Sequence, residues 1–195
     1  EVAGSALNFP SSGIIDWIVV EYRDAVDPSI VVASASRLLY SNGRVERAGG
    51  ISIPTFAADP NGQYHVAVRH RNHLGVMTAQ PVDFSTSPFI DFTAQSTAVF
   101  GTDTRKNNSG TLCLWAGDVN FDGTIKYTGS ANDRDPILVS IGGTTPNSVL
   151  SGVYSPADVN MDRLVKYTGN KNDRDQVLLS IGGTTPNSTR TDQLP

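Results

Sequence analysis

The chain lacks the features that mark several common classes of protein. Its 195 residues include one cysteine, Cys113, so an intrachain disulfide cannot form. No apolar run approaches the roughly 20 residues that a membrane-spanning helix needs, so we expect no membrane insertion. The formal net charge of −4 argues against nucleic acid as a partner, because nucleic acids attract basic proteins.

Motifs of common enzymes are also missing. The sequence contains no Gly-x-Ser-x-Gly elbow, phosphate-binding loop or zinc-hydrolase motif. Cys113 stands in the apolar run TLCLWAG without a basic neighbour to activate it, so we expect a small buried hydrophobe rather than a catalytic thiol. The chain is therefore predicted not to be an enzyme.

Residues 1–105 have the pattern of an antiparallel β-sandwich. Short runs rich in β-branched and aromatic residues alternate with turn signals, and Asn42-Gly43 between two apolar stretches is typical of a hairpin. The predicted strands include residues 14–22, 30–40, 64–69, 76–77, 82–84 and 89–100. Residues 1–10 precede them and could add an edge strand to this molecule or to a neighbouring one.

Three histidines, His65, His70 and His73, stand close together in the sequence. Their spacing fits no familiar zinc motif, so we expect structural or surface roles. Residues 69–72 could form a polar patch for a sugar or an acidic partner, but the end of a solvated strand is the favoured interpretation.

The last third of the chain contains an internal repeat. DVNFDGTIKYTGSANDRDPILVSIGGTTPNS begins at Asp118, and DVNMDRLVKYTGNKNDRDQVLLSIGGTTPNS begins at Asp158, an offset of 158 − 118 = 40 residues. Roughly 22 of 31 aligned positions are identical, which indicates a duplicated structural unit. We therefore divide the chain into a β-sandwich domain (1–105), a polar connection (106–113), a repeat domain (114–188) and a tail (189–195).

Each copy opens with oxygen-bearing side chains at alternate positions. Calcium takes six to eight oxygen ligands, which a turning loop supplies from positions 1, 3 and 5 and from the backbone carbonyl at position 7. The corresponding residues are Asp118, Asn120, Asp122 and Thr124 in the first copy and Asp158, Asn160, Asp162 and Leu164 in the second. Crowded carboxylates repel one another unless a cation lies between them, so we predict two calcium ions, one per copy.

A later carboxylate should close each site. Position 12 is a glycine in both copies, so the acid must come from the NDRD segment that follows. We expect Asn132 and Asn172 to cap short helices that end at Gly-Gly. We favour Asp135 and Asp175 as closing ligands, because they would lie near the positive end of the helix dipole. The alternatives are Asp133 and Asp173.

The duplicated DVNFDGTI-type loop, followed by an acid and an apolar helix, resembles the type I dockerin calcium repeat over roughly residues 117–183. The resemblance implies a pair of packed loop-helix units. The whole pattern of DWIVVEYRD, YHVAVRHRNHLGVMT and paired KYTG…NDRD segments also looks like terminal modules of bacterial surface proteins that are loosely labelled haemagglutinins.

The repeats depart from the dockerin pattern in two respects. Both loops are longer than a dockerin's, which leaves the closing ligand open between the two candidates in each copy. Arg163 stands where the bend of the first copy has Gly123. Because this bend suits glycine, an arginine there predicts a weaker or strained second site.

Together these patterns predict a non-enzymatic, calcium-stabilised structural module outside the cell or on its surface. We expect a subunit of a fibre or adhesive layer that forms a homo-oligomer or polymer through its N-terminal strand. The alternative is a binding module, either a dockerin-like partner of a receptor domain or a carbohydrate-binding adhesin. A dockerin-like surface would need exposed apolar helix residues, whereas we expect the following ones to be packed: Ile137, Leu138, Ile141, Val177, Leu178 and Ile181.

Overall fold

Residues 13–47 and 58–195 are described by the computed structural model. The suggested exchange strand at residues 1–10 lies outside them. The described protein is mainly β, with antiparallel sheets and two short α-helices. It divides into a sheet unit (residues 13–47 and 58–70, Gly75–Leu114 and Gln193–Pro195) and a repeat unit (Arg71–Leu74 and Trp115–Asp192).

The sheet unit is built on one antiparallel sheet in the order β3-β2-β1-β4-β5, with β6 paired to β4. Its strands are β1 (Ile14–Asp24), β2 (Val31–Tyr40), β3 (Val45–Glu46), β4 (Gln63–His70), β5 (His73–Met77) and β6 (Val82–Asp83). The predicted hairpin at Asn42-Gly43 is confirmed, because β2 pairs with β3 across this turn and Gly43 has a φ of +80°.

An apolar cluster covers one face of this sheet. Tyr22 of β1 is buried, and its ring centroid lies 5.4 Å from that of Tyr64 and 4.6 Å from that of Phe84. Phe84 begins a short 3-10 helix (Phe84–Thr86), and the loop after it contributes Ile90 and Phe92 to the cluster. In the described part of the chain these loop residues pack on the apolar cluster. The second sheet that a β-sandwich requires stays a prediction.

The predicted strand at residues 89–100 is wrong. The segment consists of bends and turns, and Val99 forms an isolated bridge to Thr78. The guanidinium group of Arg105 donates hydrogen bonds of 2.9–3.1 Å to three carbonyl oxygens of the segment. These bonds satisfy backbone acceptors that a neighbouring strand would otherwise take, so an apolar stretch forms an ordered loop.

The expectation that Cys113 is buried is also wrong. Cys113 ends β8 (Thr111–Cys113), which pairs with β7 (Lys106–Asn108) in a two-stranded hairpin, and its side chain is exposed. Alternate residues of a strand face opposite sides. Leu112 therefore takes the half-buried side and Cys113 the solvent side.

The repeat unit has the same elements in both copies. The first copy contains β9 (Thr124–Lys126), α1 (Arg134–Ser140) and β10 (Val149–Ser151), and the second contains β11 (Leu164–Lys166), α2 (Asp173–Ser180) and β12 (Thr189–Thr191). Both predicted helices are confirmed. The side chains of Asn132 and Asn172 accept hydrogen bonds of 2.9 Å from the backbone N–H three residues later.

The two copies exchange their strands. β9 follows the first loop and pairs with β12, which follows the second helix, while β11 pairs with β10. The hydroxyl of Thr128 donates to the carbonyl of Pro186, and Thr168 makes the equivalent bond to Pro146. Residues 189–191, assigned to a tail from the sequence, therefore form a strand beside the first loop.

The copies also share one apolar core. The buried positions are duplicated, as Val119 and Val159, Ile125 and Val165, Ile137 and Val177, and Ile141 and Ile181. Leu138 and Leu178 pack against them while half-buried. The six apolar helix residues thus lie in or against the core of the repeat unit, as expected.

Candidate metal centres

The first loop brings the oxygens of positions 1, 3 and 5 together. Oδ1 of Asp118 and Oδ1 of Asn120 both accept the backbone N–H of Asp122, at 3.0 and 2.9 Å. Nδ2 of Asn120 donates to Oδ2 of Asp122 at 3.0 Å. Since two of these oxygens share a single N–H group, the three side chains converge on one side of the loop.

The carbonyl of Thr124, at position 7, faces the same loop. Thr124 lies opposite Thr191 in the ladder, and the neighbouring pair is hydrogen-bonded through Asp192 N–H and Gly123 carbonyl at 2.7 Å. Hydrogen-bonded and non-bonded pairs alternate in an antiparallel ladder, so both backbone groups of Thr124 point away from β12. Its N–H accordingly donates to Oδ1 of Asp122 at 2.9 Å.

Asp133 contacts the backbone of this loop. Its side chain is fully buried, with Oδ1 accepting from the N–H of Val119 at 2.7 Å and Oδ2 from the N–H of Lys126 at 2.7 Å. The N–H of Lys126 lies on the same edge of β9 as that of Thr124, two residues earlier. The Asp133 carboxylate is therefore close to the position-7 carbonyl.

Asp135 has different contacts. Its carboxylate accepts from Nδ2 of Asn132 at 2.8 Å and pairs with Arg134 at 3.3 Å, and its side chain is 55% exposed. Asp175 repeats this arrangement with Asn172 and Arg174 in the second copy. The favoured closing acids thus contact the helix start, and the alternatives Asp133 and Asp173 contact the loops.

The second loop has the same geometry. The N–H of Asp162 donates to Oδ1 of Asp158 at 3.1 Å and to Oδ1 of Asn160 at 2.9 Å. The N–H of Leu164 donates to Oδ1 of Asp162 at 3.0 Å. Asp173 is fully buried and accepts from two backbone N–H groups of the loop and one of β11. All the predicted loop residues therefore have equivalent places in both copies.

The candidate ligand oxygens of the first loop can still accept further bonds. A carboxylate or amide oxygen can accept two hydrogen bonds. Each carboxylate oxygen of Asp118 accepts one, as does Oδ1 of Asn120. Oδ2 of Asp133 also accepts one. Each of these oxygens retains a lone pair that a cation could use.

Burial makes the charge on these groups costly. It raises the pKa of Asp133 to about 7 and that of Asp173 to about 6, although three backbone N–H groups act in the opposite direction on each. Burial also raises the pKa of Asp118 and of Asp158. The N–H bonds favour the anion and the removal of water disfavours it, so an added positive charge would stabilise each site.

The two sites differ in their charged surroundings and in their bends. Asp192 adds negative potential at Asp118, whereas the positive charge of Arg71 lowers the pKa of Asp158 against the effect of burial. At the bend, Gly123 has a φ of +80° and Arg163 a φ of +69°. Left-handed backbone suits glycine and strains arginine, so Arg163 has the backbone conformation that the sequence comparison pointed to, and a weaker second site stays a prediction.

Asn72 joins the two loops and had no recognisable signal in the sequence. Its carbonyl oxygen accepts the N–H groups of Gly117 and Asp118 at 2.8 and 3.1 Å. Its Nδ2 donates to the carbonyls of Pro156 and Asp158, both at 2.8 Å. Asn72 is fully buried, so the expectation that this residue belongs to a solvated strand end is wrong.

The histidines have structural contacts, as expected. Nδ1 of His65 lies 2.9 Å from the carbonyl oxygen of Thr78, and Nε2 of His70 lies 3.1 Å from Oδ2 of the buried Asp16. Nδ1 of His73 lies 2.7 Å from Oδ1 of Asn72.

Within residues 13–47 and 58–195, no group of three or more His, Cys, Asp or Glu side chains is arranged to hold a metal ion. Each candidate set contains three aspartates beside an asparagine and a backbone carbonyl, all of them oxygen ligands suited to calcium, and these oxygens would have to move closer together to bind an ion. No helix in these residues has the length and apolar character required to cross a membrane.

Comparison with known proteins gives no relative. No family model, curated protein or solved structure matches the chain. The likeness to dockerin repeats and to haemagglutinin-labelled modules therefore stays an interpretation of the motifs alone.

Proposed function

We propose that the chain is a non-enzymatic extracellular structural module whose repeat unit binds two calcium ions. In this proposal the N-terminal part is a β-sandwich and the repeat unit is dockerin-like in its loops and helices. The module self-associates as a subunit of a surface fibre or adhesive layer. The observation that carries the calcium proposal is that matched oxygen-bearing side chains share backbone hydrogen bonds in two loops of equivalent geometry.

The ligand chemistry supports calcium over a transition metal. Each candidate set consists of carboxylate, amide and carbonyl oxygens, without thiolate or imidazole, and hard cations prefer such oxygens. In the first copy the set contains Asp118, Asn120, Asp122 and the carbonyl of Thr124. We propose Asp133 as the fifth member in preference to Asp135, because Asp133 contacts the loop and Asp135 contacts Asn132 and Arg134.

Calcium would stabilise the repeat unit through its folded-state geometry. The ligands of one loop come from a turn, a strand and a helix start, which are brought together only by folding. A ligand that binds only the folded state at about a thousand times its dissociation constant adds about 4 kcal/mol of stability. Calcium-binding modules outside the cell have dissociation constants for calcium up to about the millimolar range.

A calorimetric calcium titration of the metal-stripped chain tests the proposal. We expect two ions per chain. Asp118→Ala and Asp158→Ala should each remove one, and Asp118→Ala should cause the larger loss of stability because the first bend has glycine. Asp133→Asn should weaken binding about tenfold or more, whereas the matched variant Asp135→Asn should leave it within about twofold. Absence of calcium binding by the wild-type chain would contradict the proposal.

Self-association is tested separately. We expect the full chain to form oligomers at high concentration with calcium, and deletion of residues 1–10 to abolish them, because a donated strand completes a neighbouring sheet edge. Sedimentation velocity measures both. If the full chain remains monomeric and the deletion changes nothing, the polymer proposal is wrong, while calcium binding is unaffected by that result.

A further inference from the structure

Asn72 contacts the first ligand residue of both loops. Its backbone carbonyl accepts the N–H of Asp118 at 3.1 Å, and its side-chain Nδ2 donates to the carbonyl of Asp158 at 2.8 Å. Asn72 and Asp158 are 86 residues apart in the sequence. One buried residue therefore connects two loops that begin with equivalent aspartates.

We propose that Asn72 is a positioning residue that couples the two candidate calcium sites, so that the two ions bind cooperatively. This inference rests on the calcium function proposed above. Asn72 contacts neither ion in the proposal, and it acts through the backbone of the two aspartates that do.

The side chain of Asn72 suits this role because all its polar groups are engaged. Nδ2 donates to two carbonyls, those of Pro156 and Asp158, at 2.8 Å each. Oδ1 lies 2.7 Å from Nδ1 of His73. Two carbonyl acceptors require an NH₂ group opposite them, which fixes the amide orientation. Aspartate at this position would turn an acceptor toward those carbonyls.

The segment around Asn72 is also anchored. Leu74 is 3% exposed and belongs to the core of the repeat unit, and its N–H donates to the carbonyl of Trp115 at 2.9 Å. A short, buried side chain has little freedom to absorb a shift of either partner. When an ion fixes Asp118, the position of Asn72 and then the backbone of Asp158 become more restricted, which favours the second ion.

A double-mutant cycle tests the coupling. Calcium affinity of the first site is measured by calorimetric titration in the full-length wild type, Asp158→Ala, Asn72→Ala and the double variant. Asp158→Ala removes the second ion but retains the carbonyl that Asn72 contacts. We expect it to weaken the first site about tenfold in the wild-type background, within the usual range of coupling between sites, and to have no effect in the Asn72→Ala background.

Leu74→Ala is the matched control, because it destabilises the same segment but leaves the hydrogen bonds of Asn72 to both loops in place. In that background Asp158→Ala should still weaken the first site about tenfold. An equal effect of Asp158→Ala with and without Asn72 would overturn the inference, even if Asn72→Ala lowers the melting temperature. Should Asn72→Ala fail to fold in calcium, Asn72→Ser retains one donor, and the inference requires a reduced effect in that background.

The outcome also separates this inference from the proposed function. Two ions that bind independently to the wild type overturn the coupling and leave the calcium function intact. A wild-type chain that binds no calcium overturns both.

Discussion

At the scale of single residues, the sixth position of each loop is one of the differences between the two sites. The backbone is left-handed there in both copies, with glycine at 123 and arginine at 163. A side chain in this conformation costs about 1 kcal/mol. The same bend is therefore relaxed in one copy and strained in the other.

Exchanging these residues should shift stability in opposite directions. Arg163→Gly should stabilise the chain by about 0.5–1 kcal/mol. The substitution relieves the backbone strain, and the greater freedom of glycine in the unfolded chain offsets part of this gain. Gly123→Arg should destabilise it by about 1 kcal/mol through the backbone, since an added Cβ meets no atom closer than 3.6 Å. Urea unfolding in a chelator measures both, and shifts of the same sign would contradict the assignment of strain.

The buried acids predict an unusual pH dependence without metal. The pKa of Asp133 rises from 3.8 to about 7 on folding, so its contribution to stability is fully present below pH 3.8 and is lost as the pH rises through about 7. At about 1.4 kcal/mol per pKa unit, the loss is on the order of 4 kcal/mol. Calcium stabilises the anion and should remove this decline.

Urea unfolding between pH 4 and 7.5, in chelator and in calcium, measures this effect. Asp133→Asn should make the free energy of unfolding in chelator depend less on pH, because the substituted side chain does not titrate. A decline of equal size in the presence of calcium would show that the buried carboxylates are not calcium ligands.

At the scale of elements, the repeat unit depends on strands that the two copies exchange. β10 follows the first helix but pairs with β11 of the second copy, and β12 pairs with β9. Each loop is therefore supported by a strand from the other copy. A substitution that disrupts one of these three-residue strands should therefore also destabilise the loop of the other copy.

Proline substitutions in β10 test this dependence. Gly152 N–H donates to the Arg163 carbonyl, so by alternation Leu150 is in a hydrogen-bonded pair and Ser151 is not. Leu150→Pro removes a ladder bond and should cost roughly 2 kcal/mol of stability and weaken calcium binding at the second site. Ser151→Pro is the matched control and should have a much smaller effect. Equal effects in urea unfolding and calcium titration would contradict the exchange.

The sequence predicted the helices of the repeats well and their short strands poorly. Asn172 as an N-cap and Gly182-Gly183 as a terminator act locally, so the sequence alone specifies them. β12 has three residues, without an apolar period, and its existence depends on the distant partner β9. The apolar residues at 89–100 predicted a strand that does not form, because Arg105 rather than a neighbouring strand satisfies the backbone carbonyls of this segment.

At the scale of the whole molecule, duplication explains the arrangement of the repeat unit. Equivalent apolar positions of the two copies form one core, and equivalent aspartates begin the two loops. The loop residues were predictable because each ligand is near the others in sequence. Asn72 was not, because its contacts cross 86 residues and asparagine in a short turn is common.

The melting temperature of the metal-stripped chain, in chelator and in millimolar calcium, tests the calcium staple most directly. Two occupied sites should raise the transition of the repeat unit by roughly 10 °C or more, since each kcal/mol is worth about 2–4 °C in a chain of this size. A transition that is unchanged by calcium, with both loops intact, would contradict the proposal that divalent ions hold this unit together.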